Sequence, residues 1–247
     1  MKQAPFTQTA GANANRSEAF GFLHIGKTAG TSVVHLIQLC EDHGYRPPRL
    51  FGHDARLPVI RREHPNIRIG FFVRDPIARI ISGFQSRLRQ GRPTFSSMWA
   101  PEEAIAFAYF ENARDFLVAL VSDDERLKSA ALFAAQSISH VRRNYAFHFE
   151  NVETLQQHRE SIYFCRPLRE LPEALHDLFG PCGIPRSFID EHYQPAHRGG
   201  GSTEAIMDAL DGDVLERLRA HFANEYAIYG HLSGLRPQGF GRRIAGG

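Results

Sequence analysis

The sequence predicts an α/β fold of three layers, in which a central, mostly parallel sheet is flanked by helices. Apolar runs of strand length alternate along the chain with amphipathic stretches of helical period, as expected when crossover helices join parallel strands. The run at 67–73 is continuously apolar, as in a strand that is covered on both faces. A loop rich in glycine and hydroxyl residues follows the first apolar run, where a strand would pass into a helix.

Hydrophobic periodicity and capping residues place the individual elements. Strands are expected at 19–24, 49–51, 67–73 and 161–165, and helices at 31–43, 101–120, 124–140, 168–179 and 214–229. A further helix begins at Pro76 with Asp75 as its N-cap, and Asn151 caps a short helix ahead of the last strand.

The composition is that of an ordinary soluble globular protein. The 247 residues are 43% hydrophobic, enough for a full core, and the net charge of +2 does not indicate a nucleic-acid partner. We expect one domain over 19–235, between a disordered lead at 1–18 and a flexible tail at 236–247. No stretch resembles a signal peptide or a membrane span, and the three cysteines lack a CxxC spacing. We therefore expect a cytoplasmic protein without an integral membrane segment.

The first candidate site is the loop that joins the first strand to the first helix, called the Lys27 loop below. Its residues are Gly26, Lys27, Thr28, Ala29, Gly30, Thr31 and Ser32. Unpaired backbone N–H groups and the helix dipole make the start of a helix favourable for an anion such as a phosphate. The loop is P-loop-like, but Lys27 precedes Gly30 instead of following it, which argues against the magnesium-bound triphosphate of the P-loop motif. The alternative is a turn with conformational glycines and a solvated lysine.

A second strand-to-helix junction provides a second candidate anion site. Arg74 follows the strand at 67–73, at the end where open α/β sheets bind ligands, and a guanidinium can hold a phosphate through two hydrogen bonds. Ser82 lies two helical turns further on and faces the same anion in this interpretation. The alternative is a capped helix start with an exposed arginine. Two anion sites predict a ligand that is phosphorylated at two separate places.

Together, the two sites resemble those of the sulfotransferases that use 3′-phosphoadenosine 5′-phosphosulfate (PAPS), most closely the carbohydrate enzymes of the heparan sulfate 2-O and 6-O type. In that family the loop His-x-x-Lys-Thr-Gly-(Gly/Ser)-Thr-(Ser/Thr) binds the 5′-phosphosulfate. Here the stretch from His24 to Ser32 reads His-Ile-Gly-Lys-Thr-Ala-Gly-Thr-Ser. The family's Arg-Asp-Pro-x-x-Arg-x-x-Ser motif, which binds the 3′-phosphate, is matched from Arg74 to Ser82. Ala29 departs from the pattern, because glycine is common at that position.

The resemblance also implies a general base and a closing loop. Relatives place a histidine after a glycine between the two motifs, and Gly52-His53 occupies that place. Imidazole titrates near neutral pH, so His53 is suited to take the proton of an acceptor hydroxyl. Family members also carry a basic, glycine-containing loop near the C-terminus that closes over the nucleotide. Arg198 and Gly199 are its counterparts here, and the alternative for them is a flexible linker.

The function that these observations predict is transfer of a sulfuryl group from PAPS to a hydroxyl acceptor by in-line displacement, with PAP as the product. The resemblance implies that the acceptor is a carbohydrate, either a glycan or a glycoconjugate. Lys27 and His53 are the expected catalytic residues, and no metal is expected. Two alternatives stay open: a P-loop kinase or NTPase, and a protein that binds PAP or PAPS without catalysis.

Overall fold

The structure is a computed structural model, and it describes residues 19–93, 96–194 and 203–235. Its sheet has four strands, which are β1 (Phe20–Leu23), β2 (Arg49–Phe51), β3 (Arg68–Val73) and β4 (Ile162–Pro167). All neighbouring pairs are parallel, and the spatial order is β2-β1-β3-β4. The predicted strands are confirmed, with ends that differ by no more than two residues.

Helices connect and cover the strands. The first three are α1 (Gly30–Asp42), α2 (Leu57–Glu63) and α3 (Pro76–Leu88). Between β3 and β4 follow α4 (Pro101–Tyr109), α5 (Ala113–Leu120), α6 (Glu125–Ser137), α7 (Ser139–Arg142), α8 (Tyr145–Phe149) and α9 (Val152–Gln157). After β4 come α10 (Leu171–Phe179), α11 (Arg186–His192), α12 (Thr203–Asp208), α13 (Gly212–His221) and α14 (Ala223–Ser233).

The sheet is covered on both faces, and β3 shows how. Side chains alternate across a strand, so Ile69, Phe71 and Val73 point to one face, where they pack with α2, α8, α9 and α14. Phe72 points to the other face and packs with α1 and α10. All four side chains are fully buried, and burial of each stabilises the fold by about 1.5–3 kcal/mol. The predicted three-layer α/β fold is confirmed.

A third cluster of apolar side chains contains no strand residue and is built from helices and the short connections between them. Helix α3 contributes Ile80, Ile81 and Phe84, which pack against α4, α5, α6 and α13. A buried ion pair ties α3 to α4 at this place, since Arg87 and Glu103 approach to 2.5 Å with almost no exposed side-chain surface. The carboxyl end of α3 is therefore fixed by both apolar packing and charge.

Three predicted helices are wrong in their extent. The helix expected at 101–120 is α4 and α5, because the Asn112 side chain accepts a hydrogen bond from the Asp115 N–H and starts a new helix. The helix expected at 124–140 ends early at the extended Ile138, and the one expected at 214–229 is divided at Phe222. Both of those apolar residues pack into the helical cluster, so the hydrophobic periodicity continues across the breaks and hides them.

Within the described ranges, no helix is long and apolar enough to cross a membrane. The predicted lead at 1–18 and tail at 236–247 lie outside the described residues, and the expectation of one domain over 19–235 stays a prediction.

Candidate functional site

The order of the strands brings the loops with the predicted site residues to one edge of the sheet. Strand β1 lies between β2 and β3, and the three strands are parallel, so their carboxyl ends share that edge. The Lys27 loop follows β1, His53 follows β2, and Arg74 follows β3 directly. This is the edge at which open α/β sheets bind ligands.

The Lys27 loop has a strained backbone and an uncapped helix start. Lys27 and Ala29 have φ angles of 69° and 77°, in the left-handed region that favours glycine. Ala29 is the N-cap of α1 and makes no side-chain cap, and the first turn of the helix contains no acidic residue. The N–H groups of that turn thus have no side-chain cap and favour an anion from outside the chain.

The side chains of the loop divide into those that build it and those that face outward. Thr28 is fully buried, and its hydroxyl donates to the Ile25 carbonyl at 2.9 Å, which closes the loop on itself. Ser32 is also buried, whereas Thr31 is exposed. A role for Thr28 in binding a ligand would therefore rest on its backbone and not on its hydroxyl.

Gly30 is required by the close approach of His24. A Cβ atom on residue 30 would stand 1.4 Å from Nε2 of His24, a distance that no side chain can tolerate. Gly26 is different, because its Cβ would have His53 and His140 at 3.8 Å, an ordinary contact. These distances place His53 and His140 directly against the Lys27 loop.

Three cations gather at this edge without a carboxylate partner. Within the described ranges, Lys27, Arg74 and Arg89 form no ion pair with an acidic side chain. Burial is the main cause that lowers the pKa of Lys27 to about 8, and the charges of Arg74 and Arg89 lower it further. An anion bound between these groups would relieve their repulsion.

Arg74 is held at both its backbone and its guanidinium group. The Tyr145 hydroxyl accepts from the Arg74 N–H at 2.8 Å and donates to the Arg74 carbonyl at 2.6 Å. Nη2 of Arg74 donates to Oγ1 of Thr203 at 3.0 Å. The next residue, Asp75, accepts from the Ala78 N–H at 3.0 Å, which confirms the predicted N-cap of α3.

Ser82 lies on α3, within the segment that begins at Arg74. It is half-buried and forms no hydrogen bond with any other described residue. A serine hydroxyl offers one donor and two acceptors, so a contact of Ser82 with a ligand stays a prediction.

His53 is held in the tautomer that a general base requires. Its Nδ1 lies 3.1 Å from the His24 carbonyl, and because a carbonyl can only accept, Nδ1 carries the proton and donates it. The lone pair is consequently on Nε2. Burial is the main cause that lowers the pKa of His53, and Arg143 and Lys27 act in the same direction, while the bond to His24 and the Asp54 carboxylate oppose them. At neutral pH the imidazole is uncharged and able to accept a proton.

A segment around α8 fixes the loop that bears His53. Arg143 contacts Oδ1 of Asp54 through Nε at 2.7 Å and through Nη2 at 2.6 Å. Nδ1 of His148 donates to the Ala55 carbonyl at 2.8 Å. These contacts hold the two residues that follow His53, and so they fix the backbone from which the imidazole extends.

Arg79 is part of the second motif but does not face the cleft. It is fully buried and donates to the carbonyls of His140 at 3.0 Å, Arg143 at 3.1 Å and Val141 at 3.4 Å. The motif thus supplies one arginine for the cleft, Arg74, and one that binds the segment carrying His140 to α3. Tyr145, Thr203 and Arg79 were missed by sequence reasoning, since their partners lie 61 or more residues away.

Four histidines cluster beside the Lys27 loop. The ring of His53 lies 3.9 Å from that of His24 and 5.5 Å from that of His140, measured between centroids. Burial is the main cause that lowers the pKa of His24 and of His140 to about 3, and that of His148 to about 4. No group of three His, Cys, Asp or Glu side chains within the described ranges is arranged to hold a metal ion.

Several sequence expectations fall outside the cleft or outside the described residues. Arg198 and Gly199, predicted to cover the nucleotide, are among residues that the structure does not describe. Arg166, near the carboxyl end of β4, pairs with Glu170 and Asp177.

Cavity size does not identify this site. A groove of about 700 Å³, lined by Tyr45, Arg49 and His64 among others, lies at the amino ends of β2 and β3, opposite to the three loops. A smaller one of about 230 Å³ lies at the carboxyl ends of β3 and β4, beside Val73 and Tyr229. The candidate site is therefore identified by topology and charge.

Comparisons of the chain with protein-family models, with curated proteins and with solved structures found no match.

Proposed function

We propose that the protein transfers a sulfuryl group from PAPS to a hydroxyl acceptor, and that the acceptor is a carbohydrate. The observation that carries the proposal is the convergence of Lys27, Arg74 and His53 on loops that follow three adjacent parallel strands. Two separate cationic positions suit a nucleotide with phosphate at both its 3′ and 5′ positions. An uncharged imidazole beside them suits the deprotonation of a hydroxyl.

In this proposal the two anion sites have different tasks. The Lys27 loop holds the 5′-phosphosulfate through the N–H groups at the start of α1 and through the Lys27 ammonium. Arg74 holds the 3′-phosphate with its guanidinium, and Ser82 adds a hydroxyl. The 3′-phosphate contact would separate PAPS from ATP and ADP, which lack that group.

The chemical step is an in-line displacement at sulfur. Nε2 of His53 takes the proton of the acceptor hydroxyl while its oxygen forms a bond to sulfur. The bond from sulfur to the bridging oxygen breaks, and that oxygen leaves with the electron pair as part of PAP. Lys27 neutralises the charge that grows on it, so catalysis rests on position and electrostatics.

Nucleotide discrimination tests the proposal without knowledge of the acceptor. We expect PAP to bind at least tenfold more tightly than ADP by calorimetry, since a charge-assisted hydrogen bond contributes about 1.5–3 kcal/mol. Arg74→Ala should remove most of the difference. Arg62→Ala, which removes an exposed arginine on α2, is the matched control and should leave the difference unchanged.

Equal affinity for PAP and ADP in the wild-type protein would refute the two-site interpretation. Magnesium-dependent consumption of ATP would favour a kinase or NTPase instead. Tight PAP binding with no transfer to a broad panel of sugars, lipids and alcohols would favour a binding protein.

A further inference from the structure

The Tyr145 hydroxyl is bonded to both polar groups of the Arg74 backbone. It accepts from the Arg74 N–H at 2.8 Å and donates to the Arg74 carbonyl at 2.6 Å. A phenol has a single donor, so this proton is committed to Arg74. Tyr145 is fully buried, so its hydroxyl is shielded from bulk water.

Arg74 lies at the junction between a strand and a helix, where the pattern of backbone hydrogen bonds changes. It follows Val73, the last residue of β3, and precedes Asp75, the N-cap of α3. At such a junction the backbone has neither a strand nor a helix to fix it, and a side chain must supply the hydrogen bonds. Tyr145 supplies both, and so fixes the direction in which the Arg74 side chain leaves the chain.

The far end of Arg74 is held independently. Nη2 donates to Oγ1 of Thr203 at 3.0 Å, and Thr203 is buried at the start of α12. One guanidinium N–H is thereby occupied, and in the described part of the chain no second acceptor is bonded to the guanidinium. Arg74 is thus restrained at its peptide by one residue and at its guanidinium by another.

Tyr145 is itself rigid. Its own N–H and that of Ala146 donate to the two carboxylate oxygens of the buried Glu225, each at 2.8 Å. The guanidinium of Arg79 lies 5.7 Å from the centroid of its ring. Because Tyr145 is held at both its backbone and its ring, its hydroxyl has a fixed position.

We infer that Tyr145 and Thr203 are positioning residues that hold Arg74 in the geometry that binds a 3′-phosphate. The inference rests on the proposed function, since it assigns to both residues the selectivity of that site. Neither residue touches the nucleotide in this account. They lower the conformational cost of binding by restraining a long, flexible side chain beforehand.

The test measures the ratio of the ADP to the PAP dissociation constant, which a merely structural role would leave unchanged. Tyr145→Phe should weaken PAP about tenfold and leave ADP within about twofold, because only the 3′-phosphate contact loses its support. Thr203→Val should have the same effect, and Thr203→Ser, which keeps the hydroxyl, should restore the ratio. Tyr163→Phe is the matched control: it removes one buried hydroxyl, which donates to the Leu178 carbonyl at 3.1 Å, and should leave the ratio unchanged.

The outcomes separate the inference from the proposed function. A wild-type protein without a preference for PAP refutes the proposed function. A wild-type preference that persists in both Tyr145→Phe and Thr203→Val refutes the inference alone. Circular dichroism shows whether Tyr145→Phe folds. If it does not, the comparison of Thr203→Val with Thr203→Ser tests the inference. An unchanged ratio of the ADP to the PAP dissociation constant in Thr203→Val then overturns it.

Discussion

At the scale of the residue, Lys27 combines three unfavourable features. It has a positive φ angle, it is half-buried, and it lies near the charges of Arg74 and Arg89 without a carboxylate partner in the described ranges. Strain and uncompensated charge of this kind cluster at functional sites. The lowered pKa is the measurable result of this environment.

The affinity for PAP should therefore depend on pH. The pKa of Lys27 is about 8, so the ammonium form that binds an anion is present below that value and is lost as the pH rises through it. We expect the PAP dissociation constant to be flat near pH 7 and to rise by up to about tenfold per pH unit above 8. Calorimetry between pH 6.5 and 10 measures it.

Lys27→Arg is the control for that dependence. A guanidinium keeps its charge throughout this range, so the variant should bind PAP with little change between pH 7 and 9. The same loss of affinity above pH 8 in Lys27→Arg would show that another group is responsible.

Ala29 has a backbone conformation that favours glycine. Its φ angle of 77° lies in the left-handed region, where glycine is unstrained and alanine is not. The alanine keeps the conformation because residues on either side determine it, with Thr28 bonded to Ile25 and Gly30 beneath His24.

At the scale of the elements, helix α3 links the candidate site to the helical cluster. It begins at the cap beside Arg74 and ends at the buried pair of Arg87 with Glu103. Glu103 also accepts from the Ser139 N–H at 3.0 Å, so it joins α3, α4 and α7. The carboxylate thus supports the segment that carries His140 toward the Lys27 loop.

Glu103→Leu should destabilise the protein strongly. The substitution leaves the Arg87 guanidinium buried without its partner, at a cost of about 3–5 kcal/mol in the free energy of unfolding. Urea denaturation at pH 7 measures it. Glu102→Leu, at the exposed neighbouring position, should change stability by less than about 0.5 kcal/mol. Similar losses in the two variants would contradict a stabilising pair.

Sequence reasoning was most successful with the elements whose signals are local. The apolar run of β3 and the Asp75-Pro76 start of α3 contain their own signals and were predicted closely. Helix breaks at Ile138 and Phe222 were missed because apolar residues that pack into the helical cluster occupy them. Helix α8 was missed because five residues are too short to show a helical period.

The residues of the candidate site also differ in how far the sequence predicts them. Lys27 and Arg74 could be selected from the sequence because each lies in a local motif at the end of an apolar strand. Tyr145 could not, because it meets Arg74 only through the packing of α8 on the sheet, 71 residues away. The tautomer of His53 likewise depends on the His24 carbonyl, 29 residues away, and no local pattern predicts it.

At the scale of the whole molecule, the buried histidines should limit stability in acid. His148 is fully buried, and its pKa of about 4 lies below the usual value of 6.5. The unfolded chain therefore binds more protons below pH 6.5, and stability is full above that pH and falls as the pH drops toward 4. His24 and His140 act in the same direction.

Urea denaturation from pH 7.5 to 4.5 should show this loss, at up to about 1.4 kcal/mol per pH unit for His148. His148→Asn keeps a donor for the Ala55 carbonyl and removes the titration, so the slope should become smaller. His35→Asn, at an exposed position, is the matched control and should keep the wild-type slope. An unchanged slope in His148→Asn would contradict the assignment.

The whole molecule is best understood as a scaffold that brings three loops to one edge of a parallel sheet. Helices on both faces fix the strands, and the segment of Arg143 to His148 fixes the loops from the side. We propose that sulfuryl transfer takes place at this edge, with His53 as the base.

Transfer of label from radiolabelled PAPS to a panel of sugars, lipids and alcohols tests that claim most directly. The wild-type protein should label at least one hydroxyl acceptor. His53→Ala should bind PAP as the wild type does and lose turnover by about 100-fold or more, the usual contribution of a general base. Transfer at the wild-type rate by His53→Ala, or tight PAP binding by the wild type with no labelled acceptor, would contradict the claim.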